Sequence, residues 1–424
     1  MSNLKILRVS FIEKTMADHF YEENPEVEGL PYVEQQLAIL SSGFTYSDSF
    51  SRAMMDLGNQ AEEVILNMIQ LQRSWAREHG LKTDPADEEE QILLAQIAAY
   101  KPDVLYFQAA NCFRKKLGAA IRERFPSLFV AGYTAIQFDP AVTIEANLFL
   151  AGTPCVAADL ARHGITAPVI YHAFDDRILD HLGDKEKSPD IDFSFVGSSG
   201  FGHYGTHATR YWMLADLLLR TNIELWTLEH QDKAVSAENK KDLEWMGDLL
   251  RQAIEKLPPA DAITEYKRHL FTALPVESAG KVHMFPGPLG DFFSDRINPP
   301  VTGIDMFRIL KRSRVTFNIH TDLMHHRQTD QWESCNMRMF EATGAGTCLL
   351  VNDGVNIRDL FEPDEEVVTF SSLEDCVEKV EYLLGHEDKR HAIADAGHRR
   401  VLRDHTIAKR CALIDEILQE RIRR

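Results

Sequence analysis

Short apolar runs alternate with stretches whose apolar residues recur at helical spacing, and this alternation predicts a mostly parallel sheet with helical crossovers. Leu4–Phe11 reads as the first strand, and Tyr32–Leu40 and Phe50–Leu57 read as helices. Ala61–Met68 carries apolar residues at helical spacing, and that pattern continues toward Trp75. The acidic run Asp84–Glu90 suits a helix start, where carboxylates complement the dipole, and Ile92–Tyr100 continues as helix. Lys101–Phe107 is a proline-bounded strand; Leu128–Ala131, Leu148–Leu150 and Val169–Tyr171 are further short strands. Asn111–Arg124 and Cys155–His163 are the helices between them.

The polar, charged and proline-containing segment Asp180–Asp190 predicts a connector between two domains, 1–180 and 181–404. The second domain opens with the strand Ile191–Val196, which runs into the glycine-rich loop Gly197–Gly202. Residues 228–300 read as helix and then loop. From Phe307 onward the order is helix, strand Val315–Ile319, a loop to Glu333, a helix-turn-strand unit, strand Glu366–Phe370 and two helices. His405–Arg421 is amphipathic, with Ile407, Cys411, Leu413, Ile414, Ile417 and Leu418 toward one side. The expected fold class is therefore α/β with two Rossmann-like, doubly wound domains and a final helix over 405–424.

Composition narrows the function classes. A chain of 424 residues with a formal net charge of −19 is unsuited to nonspecific contact with nucleic acid or an anionic membrane. The six cysteines, at 112, 155, 335, 348, 376 and 411, form no C-x-x-C pair and several lie in apolar runs, as reduced thiols do. With no charged-then-apolar leader and no run long enough to span a bilayer, a cytoplasmic protein is expected.

The stretch Asn336–Asn352 carries the most chemistry. Ser334 or Asn336 is placed to cap a short helix whose free N–H groups attract a phosphate; Arg338 and Glu341 lie on that helix; Gly344 and Gly346 allow the positive φ that ends it. Cys348–Val351 is then a buried parallel strand. Such a unit serves either phosphate binding or plain helix–strand packing. The loop at Gly197 and Ser198, with Arg210 in the following helix, can wrap a diphosphate, or it can be a simple strand–helix connection. It lacks the Gly-x-Gly-x-x-Gly spacing and the Walker lysine, which excludes a dinucleotide fingerprint and an ATPase P-loop. Arg338 suits a phosphate or an ion pair with Asp353 or Asp359, and His320, ending a strand, suits a phosphate, a sugar or a packing role. His325, His326 and Asp322 beside His320 fit no recurrent metal set, and Asp190-Ile-Asp192 lies in a linker rather than in a cation-binding context. In the first domain Asp18 and His19, on the loop after the first strand, and Tyr133, Gln137 and Asp139, after a later one, are candidates for a general base or for structural roles.

Asn336, Arg338, Phe340, Glu341, Ala342 and Gly344 match the pattern Asn-x-Arg-x-Phe-Glu-Ala-x-Gly, and the chain here resembles the group 1 glycosyltransferases, most closely their CgeB-like branch. Asp359–Phe361, Glu365–Val368, Ile393–Gly397, His405 and Thr406 extend the likeness downstream; Gly303–Met306 and Asn318–His320 extend it upstream. The resemblance covers most of residues 190–415.

That resemblance implies the GT-B architecture, two Rossmann-like domains facing a central cleft, and a bacterial-type hexosyltransferase that takes a nucleoside-diphosphate sugar to an unknown acceptor. It implies donor contacts from Gly197, Ser198, Arg210, His320, Asn336, Arg338, Glu341 and Gly344, with Glu341 on the ribose hydroxyls. Glu333, with seven residues between it and Glu341, would touch sugar hydroxyls if the likeness to the two-glutamate group holds, and Asp18 or His19 would supply acceptor chemistry. The last helix would return to the first domain. No metal or cofactor is implied, and a homodimer is compatible. A nucleotide-sugar 2-epimerase and a non-catalytic nucleotide-sugar-binding protein are the alternatives on the same scaffold.

Overall fold

The structure is a computed structural model and describes residues 3–12, 14–41, 47–110, 113, 115–183, 189–201, 206–227, 229, 237–259, 261–266, 287–320, 333–334 and 336–423. The chain forms two compact units, Met1–His181 with Leu402–Arg424, and Leu182–Val401.

In the first unit, strands β1 (Lys5–Ser10), β2 (Gln60–Ile65), β3 (Val104–Phe107), β4 (Phe129–Thr134) and β5 (Leu148–Ala151) form a parallel sheet in the order β2-β1-β3-β4-β5. The order reverses between β1 and β3, so this sheet is doubly wound. Every residue of β3 is buried, as a central parallel strand covered on both faces requires. Val169–Tyr171, expected as a strand, contributes only a bridge from Val169 to Ala151. The last helix, Ile407–Arg423, packs on the helix Ser49–Asp56 through buried Cys411, Ile414 and Leu418, and Asn59 Nδ2 donates to Asp415 at 2.9 Å. Leu413, expected on that apolar side, is 42 % exposed.

The principal difference from the expected elements lies in Ala61–Met68, read as helical and observed to begin within strand β2, Gln60–Ile65. Its burial alternates only if Glu63 points inward, and it does: Arg8 Nη1 lies 2.8 Å from Glu63 Oε1, and both side chains are nearly inaccessible. Ser51 Oγ donates to the same carboxylate oxygen at 2.6 Å. A glutamate on the buried side disguises a period of two as a polar turn of helix. Burial raises the Glu63 pKa against the pull of Arg8.

In the second unit, β6 (Ile191–Val196), β7 (Glu224–Trp226), β8 (Ile297–Asn298), β9 (Ser313–Asn318), β10 (Cys348–Asn352) and β11 (Val368–Phe370) form a parallel sheet in the order β11-β10-β9-β6-β7-β8. Numbered within the unit this is the 3-2-1-4-5-6 order of a dinucleotide-type domain, with its switch point between β6 and β9. The two strands not anticipated, β7 and β8, are three and two residues long, too short for a periodicity signal. Phe195, Phe317 and Phe370 line up on one face of this sheet, Phe317 and Phe370 stacked at 5.5 Å. No helix among the described residues is long and apolar enough to cross a membrane.

Removing Arg8 alone leaves a buried carboxylate without its counter-charge. Arg8→Met should destabilise the protein by about 3–5 kcal/mol, and Arg8→Met with Glu63→Leu should recover most of that loss. Denaturant unfolding measures both; equal destabilisation by the single and double variants contradicts the pairing.

Candidate functional site

The switch point of the second sheet brings two loops together. Strand β6 delivers Gly197 and Ser198 at its carboxyl end, and β9 delivers Asn318 and His320 at the carboxyl end of its neighbour. In an open parallel sheet this crevice is where a ligand sits, because the crossovers leave it in opposite directions.

Arg210, on the helix Thr206–Arg220 that follows the first loop, donates from Nη1 to the Ser198 carbonyl at 3.1 Å. Its Nε is buried and has no hydrogen-bond partner among the described residues. Burial, and then the neighbouring Arg338 guanidinium, push the Arg210 pKa down to about 10. Arg338 opens the helix Arg338–Gly344 and pairs with Glu341 at 2.8 Å, not with Asp353 or Asp359. Glu341 is 5 % exposed, and burial raises its pKa while Arg338 lowers it. His320 is 1 % exposed; burial and the Arg210 charge push its imidazole down to about 3, so it is neutral at pH 7. Among the described residues, two guanidinium groups thus lie near one buried carboxylate and one neutral imidazole, an environment that favours a bound anion.

Several expected details are corrected. Neither Ser334 nor Asn336 caps the helix: Met337 stands at its N-cap and no side chain caps it. Asn336 instead exchanges amide hydrogen bonds with Asn318, at 3.0 and 2.9 Å, because a carboxamide carries both a donor and an acceptor. Gly344 ends the helix inside it, and Gly346 alone supplies the positive φ, 83°. The Gly197 N–H is bonded to the Trp226 carbonyl at 3.0 Å, and the Gly200 N–H to Ser198 Oγ at 3.3 Å, so those amides are already engaged. Asp18 and His19 stand on the helix Lys14–Glu23 rather than on a loop. Asp139 Oδ1 accepts from the Ala141 N–H at 2.8 Å, a local turn contact. Asp190 and Asp192 are bound to Arg312 and Arg314 across the strands, which gives that motif a structural use. Gly202, Asp322, His325, His326 and Cys335 lie outside the described residues.

Sequence reasoning missed an asparagine framework. The Asn352 Oδ1 accepts from the His320 N–H at 2.7 Å, and Asn356 holds Ser334 by both backbone groups, N–H at 2.6 Å and carbonyl at 2.9 Å. The available signal was an asparagine closing each of two adjacent apolar strands, Asn318 on β9 and Asn352 on β10. Buried side-chain amides there fix loops that no ladder hydrogen bond can reach.

The second unit is a doubly wound parallel sheet with two arginines, Arg210 and Arg338, near its switch point. Residues 261–418 match a family model described as "Glycosyl transferase-like". No curated protein sequence matches. Among solved structures, the chain is similar to a glycosyltransferase from Rickettsia africae, with 8 % identity, a TM-score of 0.55 and coverage of 100 % of this chain and 99 % of that one. It is also similar to an alpha-glucosyltransferase in complex with UDP-glucose and DNA containing an abasic site, with 9 % identity, a TM-score of 0.55 and coverage of 99 % and 100 %. HepE from Anabaena in complex with UDP-glucose aligns at 9 % identity and a TM-score of 0.52, covering 99 % and 100 %. The fold is that of the GT-B glycosyltransferases, with two Rossmann-like domains.

The His320 shift carries a sign. Its folded pKa, about 3, lies below the ordinary 6.5, so between those values the unfolded chain binds a proton that the folded chain refuses. Stability is therefore lost as pH falls through this window, with a slope of at most about 1.4 kcal/mol per pH unit from this residue. Denaturant unfolding between pH 7 and 4 should show a shallower slope for His320→Gln than for the unmodified protein; identical slopes would contradict the assignment.

Proposed function

We propose that this protein is a glycosyltransferase of the CgeB-like branch that binds a nucleoside-diphosphate sugar in its second unit and transfers the sugar to an acceptor. One observation carries this reading: Arg210 lies buried within reach of the Arg338 charge at the switch point of the second sheet, while Arg338 is paired with Glu341. A diphosphate supplies the missing negative charge and accepts from Arg210 Nε. The family-model match over 261–418 and the GT-B fold support the same reading.

In this mechanism Arg210 and Arg338 stabilise the charge that builds on the leaving diphosphate as the bond from the anomeric carbon to its phosphate oxygen breaks. Glu341 accepts the ribose hydroxyls; burial raises its pKa and its ion pair with Arg338 works against that rise. Neutral His320 donates to a phosphate or sugar oxygen. Metal independence belongs to the proposal, because the guanidinium pair supplies the cationic charge that other sites take from a divalent ion.

Thermal-shift screening of UDP, GDP, ADP and dTDP sugars should identify a donor that raises the melting temperature. For that donor Arg210→Met should weaken binding by roughly ten- to a hundredfold, the cost of a lost charged hydrogen bond. Excess EDTA should leave donor turnover unchanged. A chain that no nucleotide sugar stabilises, or an Arg210→Met variant of full affinity, would sink the reading.

A further inference from the structure

Asn356 is assigned no part in the proposed chemistry, yet it satisfies both backbone polar groups of a fully buried residue, Ser334, at 2.6 and 2.9 Å. Asn356 is itself 6 % exposed. The Ser334 hydroxyl is also buried and has no hydrogen-bond partner among the described residues. It lies against Gly354, where an added Cβ would crowd the hydroxyl and stand 2.8 Å from the Ser334 nitrogen. The loop after β10 therefore grips Ser334 from two sides: a carboxamide holds its backbone, and a side-chain-free residue lets it approach. Glu333 is covalently next to that grip.

We infer that Asn356, with Gly354, is a positioning residue that sets where the Glu333 carboxylate stands for the sugar of the donor. This rests on the reading that the second unit binds a nucleotide sugar and that Glu333 meets sugar hydroxyls. The neighbouring donor groups are anchored by other means. Asn336 is held by Asn318, and Glu341 by its ion pair with Arg338 and by its N–H bond to the Met337 carbonyl. Loosening the Asn356 clamp orphans two buried backbone groups on Ser334 and shifts residues 333–334, while the cationic region and the ribose carboxylate keep their supports. Discrimination between a nucleotide sugar and its bare nucleotide is therefore separable from affinity for the nucleotide.

Calorimetry with UDP against UDP-glucose and GDP against GDP-mannose tests this on the full chain. The unmodified protein should bind the sugar form of one pair more tightly than its nucleotide. Asn356→Ala should shrink that preference on the order of tenfold, as loss of a hydrogen bond to a charged group does, with affinity for the bare nucleotide unchanged. Gly354→Ala should do the same by pushing Ser334 aside, and Asn356→Asp, which keeps the acceptor and loses the donor, should fall between. Retained nucleotide affinity in each variant reports that the site is folded. If Glu333→Ala abolishes the sugar preference and Asn356→Ala leaves it intact, the positioning role is wrong and the donor reading stands. If Asn356→Ala weakens both forms equally, the residue is only structural and the inference falls. If Glu333→Ala leaves the preference unchanged, or none of the four probes binds, the underlying reading fails and the inference with it.

Discussion

A guanidinium removed from water loses several kcal/mol of solvation unless charge and hydrogen bonds replace it, and a second guanidinium nearby makes the loss worse. Arg210 carries both burdens. One of its nitrogens reaches the Ser198 carbonyl, another is buried without a partner among the described residues, and Arg338 adds like charge. The fold sustains this because the surrounding parts are rigid. A six-stranded parallel sheet fixes the ends of β6 and β9, the phenylalanines on its face fix the strands, and the asparagines at the carboxyl edge fix the loops. Strain held in place by a rigid frame, and relieved by an anion, is how a binding site differs from a packing defect.

The carboxylate of Glu341 is the counterweight. Burial drives it toward its protonated form, and the pairing with Arg338 opposes that drive. The same pairing ties Arg338 to its own helix, which leaves Arg210 as the less compensated cation of the two. Two arginines that look interchangeable in the sequence therefore have different work: one is braced, the other is poised.

Much of this was legible in the sequence. The glycine-rich loop after an apolar strand, the arginine in the next helix and the glutamate three residues after Arg338 were recognisable because each is a residue type bound to a local pattern. The strand at 60–65 was not, because a buried salt bridge placed Glu63 where an apolar residue would have marked the period. Strands β7 and β8 were too short to mark any period. The asparagine framework was opaque for another reason: Asn318 with Asn336, and Asn356 with Ser334, are contacts between residues separated by 18 and 22 positions. Only the sheet order determines that they meet. The capping role expected of Asn336 fails on the same account, since Asn318 takes the carboxamide that a local reading assigns to the helix, whereas the Ser334 hydroxyl is buried with no partner among the described residues.

The central claim is that the Arg210 and Arg338 guanidinium groups form the seat of a diphosphate. A crystal structure of the protein with UDP, or with whichever nucleoside diphosphate binds most tightly, tests it directly. The account predicts a phosphate oxygen within hydrogen-bond distance of Arg210 Nε, with the ribose hydroxyls on Glu341. A diphosphate seated elsewhere, with Arg210 Nε still unpartnered, would contradict it.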